Sequence, residues 1–326
     1  MARDIRIDTL KGFLIILVIM GHCITTLDNI NVLNHAVMGL IYIFHMPLFI
    51  LISGYLTKSP EQQSASKMWQ GCLKIFVPMV IFHIISCTRS WLYGGDFYQH
   101  FIMFPYGILW YLICLIYWRI ALFYTPRWLR NRPVLYLSIA LLISVLSGLT
   151  HLGSTLASQR CLNFYVFFLL GYYYRQGAIS QRWWKNNILH AAVAIVLLPL
   201  IFWLFPRCGN VMNGAEYYSL QDIPQKVMIL ACSVAMSLLV FNLMRANRFL
   251  AHIGKDSLFY YLYHFYIIYI VIVWWVKLTY WPDTMPFIIL YTAAVVAILL
   301  LMHKVRFFRW LANPLAEWKP RKNQEK

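Results

Sequence analysis

The sequence predicts an all-α integral membrane protein: a bundle of about ten transmembrane helices with both termini cytoplasmic. Three observations carry this reading. Of 326 residues, 61% are hydrophobic and 12% charged, with a mean hydropathy of +0.63. That is more apolar side chain than a water-soluble core can bury. Apolar stretches close to the roughly 20 residues that cross hydrocarbon recur along the whole chain. The cations also sort by side. With ten crossings only Arg89, Arg160, Arg207, Lys226 and Lys277 fall on the outer face, and the other 23 of the 28 Lys and Arg fall on the inner one. Cytoplasmic loops carry this bias, so the net charge of +17 reflects topology rather than a nucleic-acid partner. Composition also excludes a disordered, collagen-like or disulfide-stapled chain.

The first stretch, Gly12 to Leu27, follows Arg3, Arg6 and Lys11 in the manner of a signal peptide. No small-residue cleavage site follows it, so it reads as a retained helix. In the second, Ala36 to Leu56, Pro47 removes one backbone hydrogen bond and can kink the helix, while Ser53 and Gly54 allow close helix approach. Leu73 to Leu92, Ile102 to Tyr124, Val134 to Leu152, Leu162 to Ala178, Ile188 to Phe205 and Val227 to Met244 follow, with basic residues in every second connection. The ninth, Ser257 to Val276, and the tenth, Pro286 to Met302, lead into a short basic tail with no room for an appended soluble domain. Residues 1–326 therefore read as one transmembrane domain. The longest outer connection, Pro206 to Lys226, holds Glu216, Tyr217, Tyr218 and Asp222 and reads equally as a lid, an acceptor surface or an ordinary loop. All 11 carboxylates fall outside the ten stretches. The 7 cysteines show no metal spacing and read as small apolar fillers, although Cys161 and Cys208 both lie near the outer face and could form a bridge.

With carboxylates absent at membrane depth, the ionisable side chains there are His22, His45, His83, His190 and His264. A polar group in the bilayer is costly enough to suggest function. For His83 and His190, hydrogen bonding between helices is the favoured reading. Lys11 and His22 are almost three helical turns apart, which puts them on one face about 16 Å from each other. Lys11 then sits at the inner edge and His22 near mid-membrane, and Asp8 can pair with Lys11 if the helix reaches back that far. His45, just before Met46 and Pro47, suits a cavity or a helix contact equally. Ser257, Tyr261 and His264 recur at i, i+4 and i+7 as one polar stripe. Trp110 and Tyr111 offer donors at depth. Arg160, at the outer mouth of its helix, can orient a carbonyl or an acidic acceptor, or simply snorkel.

Five strings occur in order: IDTLKGFLIILVIMGH, FHMPLFILISGYL, GILWYLICL, RCLNFYVFFLLGYY and IGKDSLFYYLYH. In them the chain resembles the membrane-bound acyltransferase family 3, in its stand-alone branch of fucose 4-O-acetylase-like sugar O-acetyltransferases. The resemblance covers nearly the whole chain. It implies transfer of an acyl group, usually acetyl, from cytoplasmic acetyl-CoA to a carbohydrate hydroxyl. The acceptor would be a surface polysaccharide or glycolipid at the outer side of the inner (plasma) membrane. On that basis His22 is the candidate catalytic base, and a histidine sheltered from water rests as the uncharged imidazole that a base requires. Lys11, Lys67 and Lys74 are the candidate cations for the donor phosphates. His45, Trp110, Tyr111, Arg160, Ser257 and His264 are candidate substrate or oxyanion contacts. No metal is expected. The Lys11 to His22 spacing matches an extended pantetheine arm, so the two should line one tunnel. GCLKIFVP keeps Lys74 and Pro78 but has Gly71 where relatives carry a second basic residue, which leaves Lys67 one turn back as its substitute. The competing class is a secondary transporter or lipid-linked sugar flippase, weakened by the absence of Asp or Glu from every stretch.

Overall fold

A computed structural model describes residues 4–27, 31–92, 94–102, 104–105, 107–153, 155–204, 216–217, 219–278 and 282–317. A helix forms in each of the ten apolar stretches, and the described residues contain no strand. In chain order the long helices are α1 (Ile5–Thr25), α2 (Val32–Leu56), α3 (Ala65–Leu92), α4 (Trp110–Tyr124) and α5 (Pro133–Leu146). They continue with α6 (Ser158–Arg175), α7 (Asn187–Leu204), α8 (Asp222–Leu243), α9 (Ser257–Tyr269) and α10 (Met285–Lys304).

Six helical stretches are long and apolar enough to cross a membrane: α1, α2, α3, α4 with its leading turn from Gly107, α8 and α10. The other four of the ten expected spans are helices that fall short of that measure. α5, α7 and α9 are apolar but shorter, and α6 opens with Gln159, Arg160 and Asn163, which dilute its hydropathy. The outer surface is nonetheless that of a membrane protein: Ile188 is 85% and Trp203 79% exposed, apolar area that water would penalise.

Helix starts also differ from the apolar runs. The Asp4 carboxylate accepts the Arg6 amide at 2.9 Å and caps α1, so this helix starts before Gly12 and takes in Asp8. α8 likewise starts at Asp222, whose charge suits a helix N-terminus. Two carboxylates thus lie inside helices that the hydropathy pattern alone had cut short. Lys226 moves for the same reason from a loop into α8, where it is buried with its ammonium on the Asn163 side-chain carbonyl.

Glycines set the closest crossings. α1 packs on the short helix Arg248–Lys255, where a Cβ on Gly12 would fall on the Leu250 carbonyl and one on Gly254 on the Asp8 carbonyl. α2 and α6 cross in the same way through Gly54 and Gly171, against the carbonyls of Phe168 and Leu51. Small residues of this kind let helices associate where lipid removes the hydrophobic drive.

Away from the helices, Glu61 in the α2–α3 connection pairs with Arg130 in the α4–α5 connection. Arg130 also donates to the Thr125 carbonyl at 2.8 Å. The Ser59 hydroxyl, and then Arg130, hold the Glu61 carboxyl down to about 2. In the Pro206 to Lys226 connection, Tyr218 and Cys208 lie outside the described residues, and with Cys208 the Cys161 bridge. Tyr217 is placed: its amide donates to the Gly148 carbonyl and its hydroxyl to the Val145 carbonyl, both at 2.7 Å.

Candidate active site

A cavity of about 370 Å³ opens where α1, α2, α3, α4, α6 and α9 converge. On α1 it is lined by Val18 and His22. His22 sits in the last turn of α1, nearer the helix end than the mid-membrane depth expected for it. Its carbonyl accepts the Thr26 hydroxyl at 2.6 Å, which closes the helix there.

Two further imidazoles stand by His22. The His264 ring centre is 5.3 Å from that of His22, and Phe265 meets His22 edge-on at 5.9 Å. His45 lines the same cavity, with Tyr42 edge-on to it at 5.0 Å. Its Nδ1 lies 2.8 Å from the Ile41 carbonyl. A carbonyl can only accept, so Nδ1 carries the hydrogen and Nε2 is left as a lone pair.

Arg160 and Trp110 form another part of the wall, with the guanidinium 5.2 Å above the indole centre. Trp110 stacks in turn on Phe164 at 5.4 Å. Among the described residues of the lining Arg160 carries the one permanent charge, and no carboxylate is present. Tyr261 completes this side, its hydroxyl donating to the Ile108 carbonyl.

Several expected site residues fall elsewhere. Tyr111 is buried behind the wall, its hydroxyl 2.6 Å from Ser53 Oγ and its ring 5.6 Å from that of Tyr261. Ser257 opens instead on a second cavity of about 300 Å³, shared with Lys255, Asp256, His303 and Arg309. Lys67 and Lys74 are exposed on α3 and line neither cavity. Lys11 pairs with Asp8 at 2.8 Å, as its spacing allows. The tunnel from Lys11 to His22 is not open: between them on the same face, Leu14 and Ile15 are fully buried, and the cavity reaches only to Val18. Side-chain packing closes a path that the helix repeat alone left free.

Tyr42, Ser86, Phe265 and Tyr266 also line the cavity and escaped the sequence reading. Tyr42 is one turn from His45 on α2, a signal that helix geometry offered. The Tyr266 hydroxyl is 2.6 Å from Ser86 Oγ. His83 does bond across elements, its Nε2 lying 3.2 Å from the Phe101 carbonyl. His190 shows no such bond and stands edge-on to Trp183 at 5.7 Å. No group of three or more His, Cys, Asp or Glu side chains that could hold a metal occurs among the described residues.

Residues 4–303 match the model of a family described as "Acyltransferase domain". The Nodulation protein NolL of Sinorhizobium fredii is 37% identical over 83 residues, which is 24% of this chain and 23% of that protein. The Nodulation protein NolL of Mesorhizobium japonicum is 34% identical over 96 residues, 27% of this chain and 24% of that protein. The chain thus spans about a quarter of the length of these relatives. No solved structure matches.

Proposed function

We propose that this chain, which belongs to the acyltransferase family that its residues 4–303 match, is a membrane O-acetyltransferase. It moves an acetyl group from cytoplasmic acetyl-CoA to a carbohydrate hydroxyl of a surface polysaccharide or glycolipid. The observation that carries the reading is the convergence of His22, His45, Arg160, Trp110 and Tyr261, drawn from five helices, on one cavity. Acyl transfer to a hydroxyl needs a base for the proton and polar groups for the oxyanion, and this wall supplies both.

In the reaction, His22 takes the hydroxyl proton as the oxygen attacks the thioester carbon. The carbon–oxygen bond forms, the carbon–sulfur bond breaks, and the proton passes from His22 to the leaving thiolate. Arg160, held flat on Trp110, faces the charge on the carbonyl oxygen or on an acidic acceptor. Lys11, Lys67 and Lys74 remain the candidate inner-face cations for the donor phosphates, and donor entry requires the packing at Leu14 and Ile15 to open. All ten long helices cross the inner (plasma) membrane in this reading, with both termini cytoplasmic.

Membranes containing the chain, given labelled acetyl-CoA and acceptor glycan, should transfer label to the glycan. His22→Ala should lower the rate by about 10²–10⁴-fold, the usual share of acid–base catalysis, while the protein still accumulates. An active His22→Ala protein removes His22 as the base, and a wild-type protein that consumes no acetyl-CoA overturns the activity.

A further inference from the structure

We infer that His264 is a positioning residue whose Nε2 accepts the N–H of His22 and so turns the other His22 nitrogen toward the acceptor hydroxyl. This rests on His22 acting as the base of the reading above.

The hydrogen-bond pattern of His264 fixes its tautomer. Nδ1 lies 2.7 Å from the Tyr261 carbonyl and 3.3 Å from the Tyr260 carbonyl. Both oxygens only accept, so Nδ1 carries the hydrogen and Nε2 of the neutral ring is a bare lone pair. That Nε2 is buried and has no hydrogen-bond partner, and the residue is 0% exposed. An unmade buried acceptor is costly and calls for a partner. Because the atom is sealed from the cavity, a bound substrate cannot be that partner. The His22 ring is the neighbour able to donate, with its centre 5.3 Å away and its plane tilted by 37°. Two imidazoles joined by an N–H···N bond of about 3 Å have ring centres about 5 Å apart, so a small turn of His22 closes the bond without moving either helix.

The remaining surroundings point the same way. His45 is anchored by its own helix through Ile41, and Phe265 holds His22 edge-on from one side. His22 is the imidazole of the three with no such backbone anchor among the described contacts. With its N–H on His264, the other nitrogen is left free for the hydroxyl proton. When that proton arrives, the bond to His264 becomes charge-assisted and strengthens. The proton then goes to the thiolate as the carbon–sulfur bond breaks, and both imidazoles end neutral as they began.

The test uses the full chain purified in lipid nanodiscs, with acetyl-CoA as donor and, as acceptor, whichever of a panel of methyl glycosides the wild type turns over fastest. Thiol release is followed. His264→Phe, which keeps a flat ring but no acceptor atom, should lower kcat about 10- to 100-fold, the range for losing a hydrogen bond to a charged group. The KM values for acetyl-CoA and glycoside should stay within about threefold, since Nε2 touches neither ligand. His264→Gln restores an acceptor and should recover at least about tenfold of the kcat loss. A His264→Phe protein with wild-type kcat, a loss carried by KM alone, or a Gln variant no better than Phe overturns the inference. If His264→Phe does not accumulate, His264→Leu is compared with His264→Gln on the same readings. A wild-type protein releasing no thiol, or an active His22→Ala, overturns the underlying reading instead.

Discussion

Gly254→Ala tests whether backbone contact holds α1 in place. A Cβ there would meet Gly12 N at 2.6 Å and the Asp8 carbonyl carbon at 2.8 Å, besides the Asp8 oxygen. Ordinary contact starts at 3.4 Å and the Asp8 oxygen would lie nearer than either of these atoms, so α1 and the helix Arg248–Lys255 must part by more than about 0.8 Å, and because every atom met is backbone no rotamer can relieve it. Overpacking of this kind costs about 1–3 kcal/mol, which for a chain of this size lowers Tm on the order of 5 °C. The assay is thermal unfolding in detergent, followed by size-exclusion of the fluorescently tagged protein. Gly71→Ala is the control, since its Cβ would meet only Arg119 Nη1, at an ordinary 3.7 Å. Its helix position should make the change neutral or slightly stabilising. If Gly254→Ala melts with the wild type, or Gly71→Ala loses as much, the close crossing does not hold α1.

Glu61→Gln should lower Tm at pH 7 by removing the charge that Ser59 and Arg130 favour. The folded carboxyl titrates at about 2 rather than 4.5, so its contribution is present above about pH 4.5 and fades as pH falls toward 2. Solvent screening of this partly exposed pair limits it to about 1 kcal/mol. The gap between the two melting curves should narrow over that window, and a constant gap would contradict the ion pair's role. Arg160→Lys keeps the charge but loses the flat face on Trp110, so the acceptor KM should rise by about tenfold. Steady-state kinetics with an unchanged KM would exclude Arg160 from acceptor binding. Acid quenching after labelled acetyl-CoA without acceptor should leave no label on the protein, and trapped acyl-enzyme would replace direct transfer with a covalent route.

Helix geometry made much of the site legible. The three-residue offset of Asp8 and Lys11 and the polar stripe of α9 needed only the 3.6-residue repeat. What the repeat cannot supply is which point along a face meets which space. Ser257 and Tyr261 share a stripe, yet they open on two different cavities. Lys11 and His22 share a face, yet Leu14 and Ile15 fill the ground between them. Tyr42 and Tyr266 were hidden by composition, because among 22 tyrosines an interface aromatic and a cavity wall look alike. α6 departs from the apolar pattern because it carries Arg160 to the cavity and Asn163 to Lys226, and these polar side chains weaken its hydropathy.

The charge inventory of the cavity bears on the order of bond making. Arg160 is the one fixed charge on its described lining, and no carboxylate is among those described residues to balance a second cation. An acyl-imidazolium on His22 would be such a cation, and to wait uncharged for an acceptor it must first give its remaining N–H proton to the leaving thiolate. In direct attack the imidazole is charged only while the proton travels from hydroxyl to thiolate, and the opposite charge, on the oxyanion or thiolate, sits within the same cavity at that moment. The pair is created and cancelled together, with Arg160 biasing the carbonyl oxygen and a neighbouring lone pair sharing the load on His22. A site built from imidazoles and one guanidinium therefore suits a single displacement, whereas an acyl-His22 would have to release the N–H that His264 is proposed to hold before it could wait uncharged.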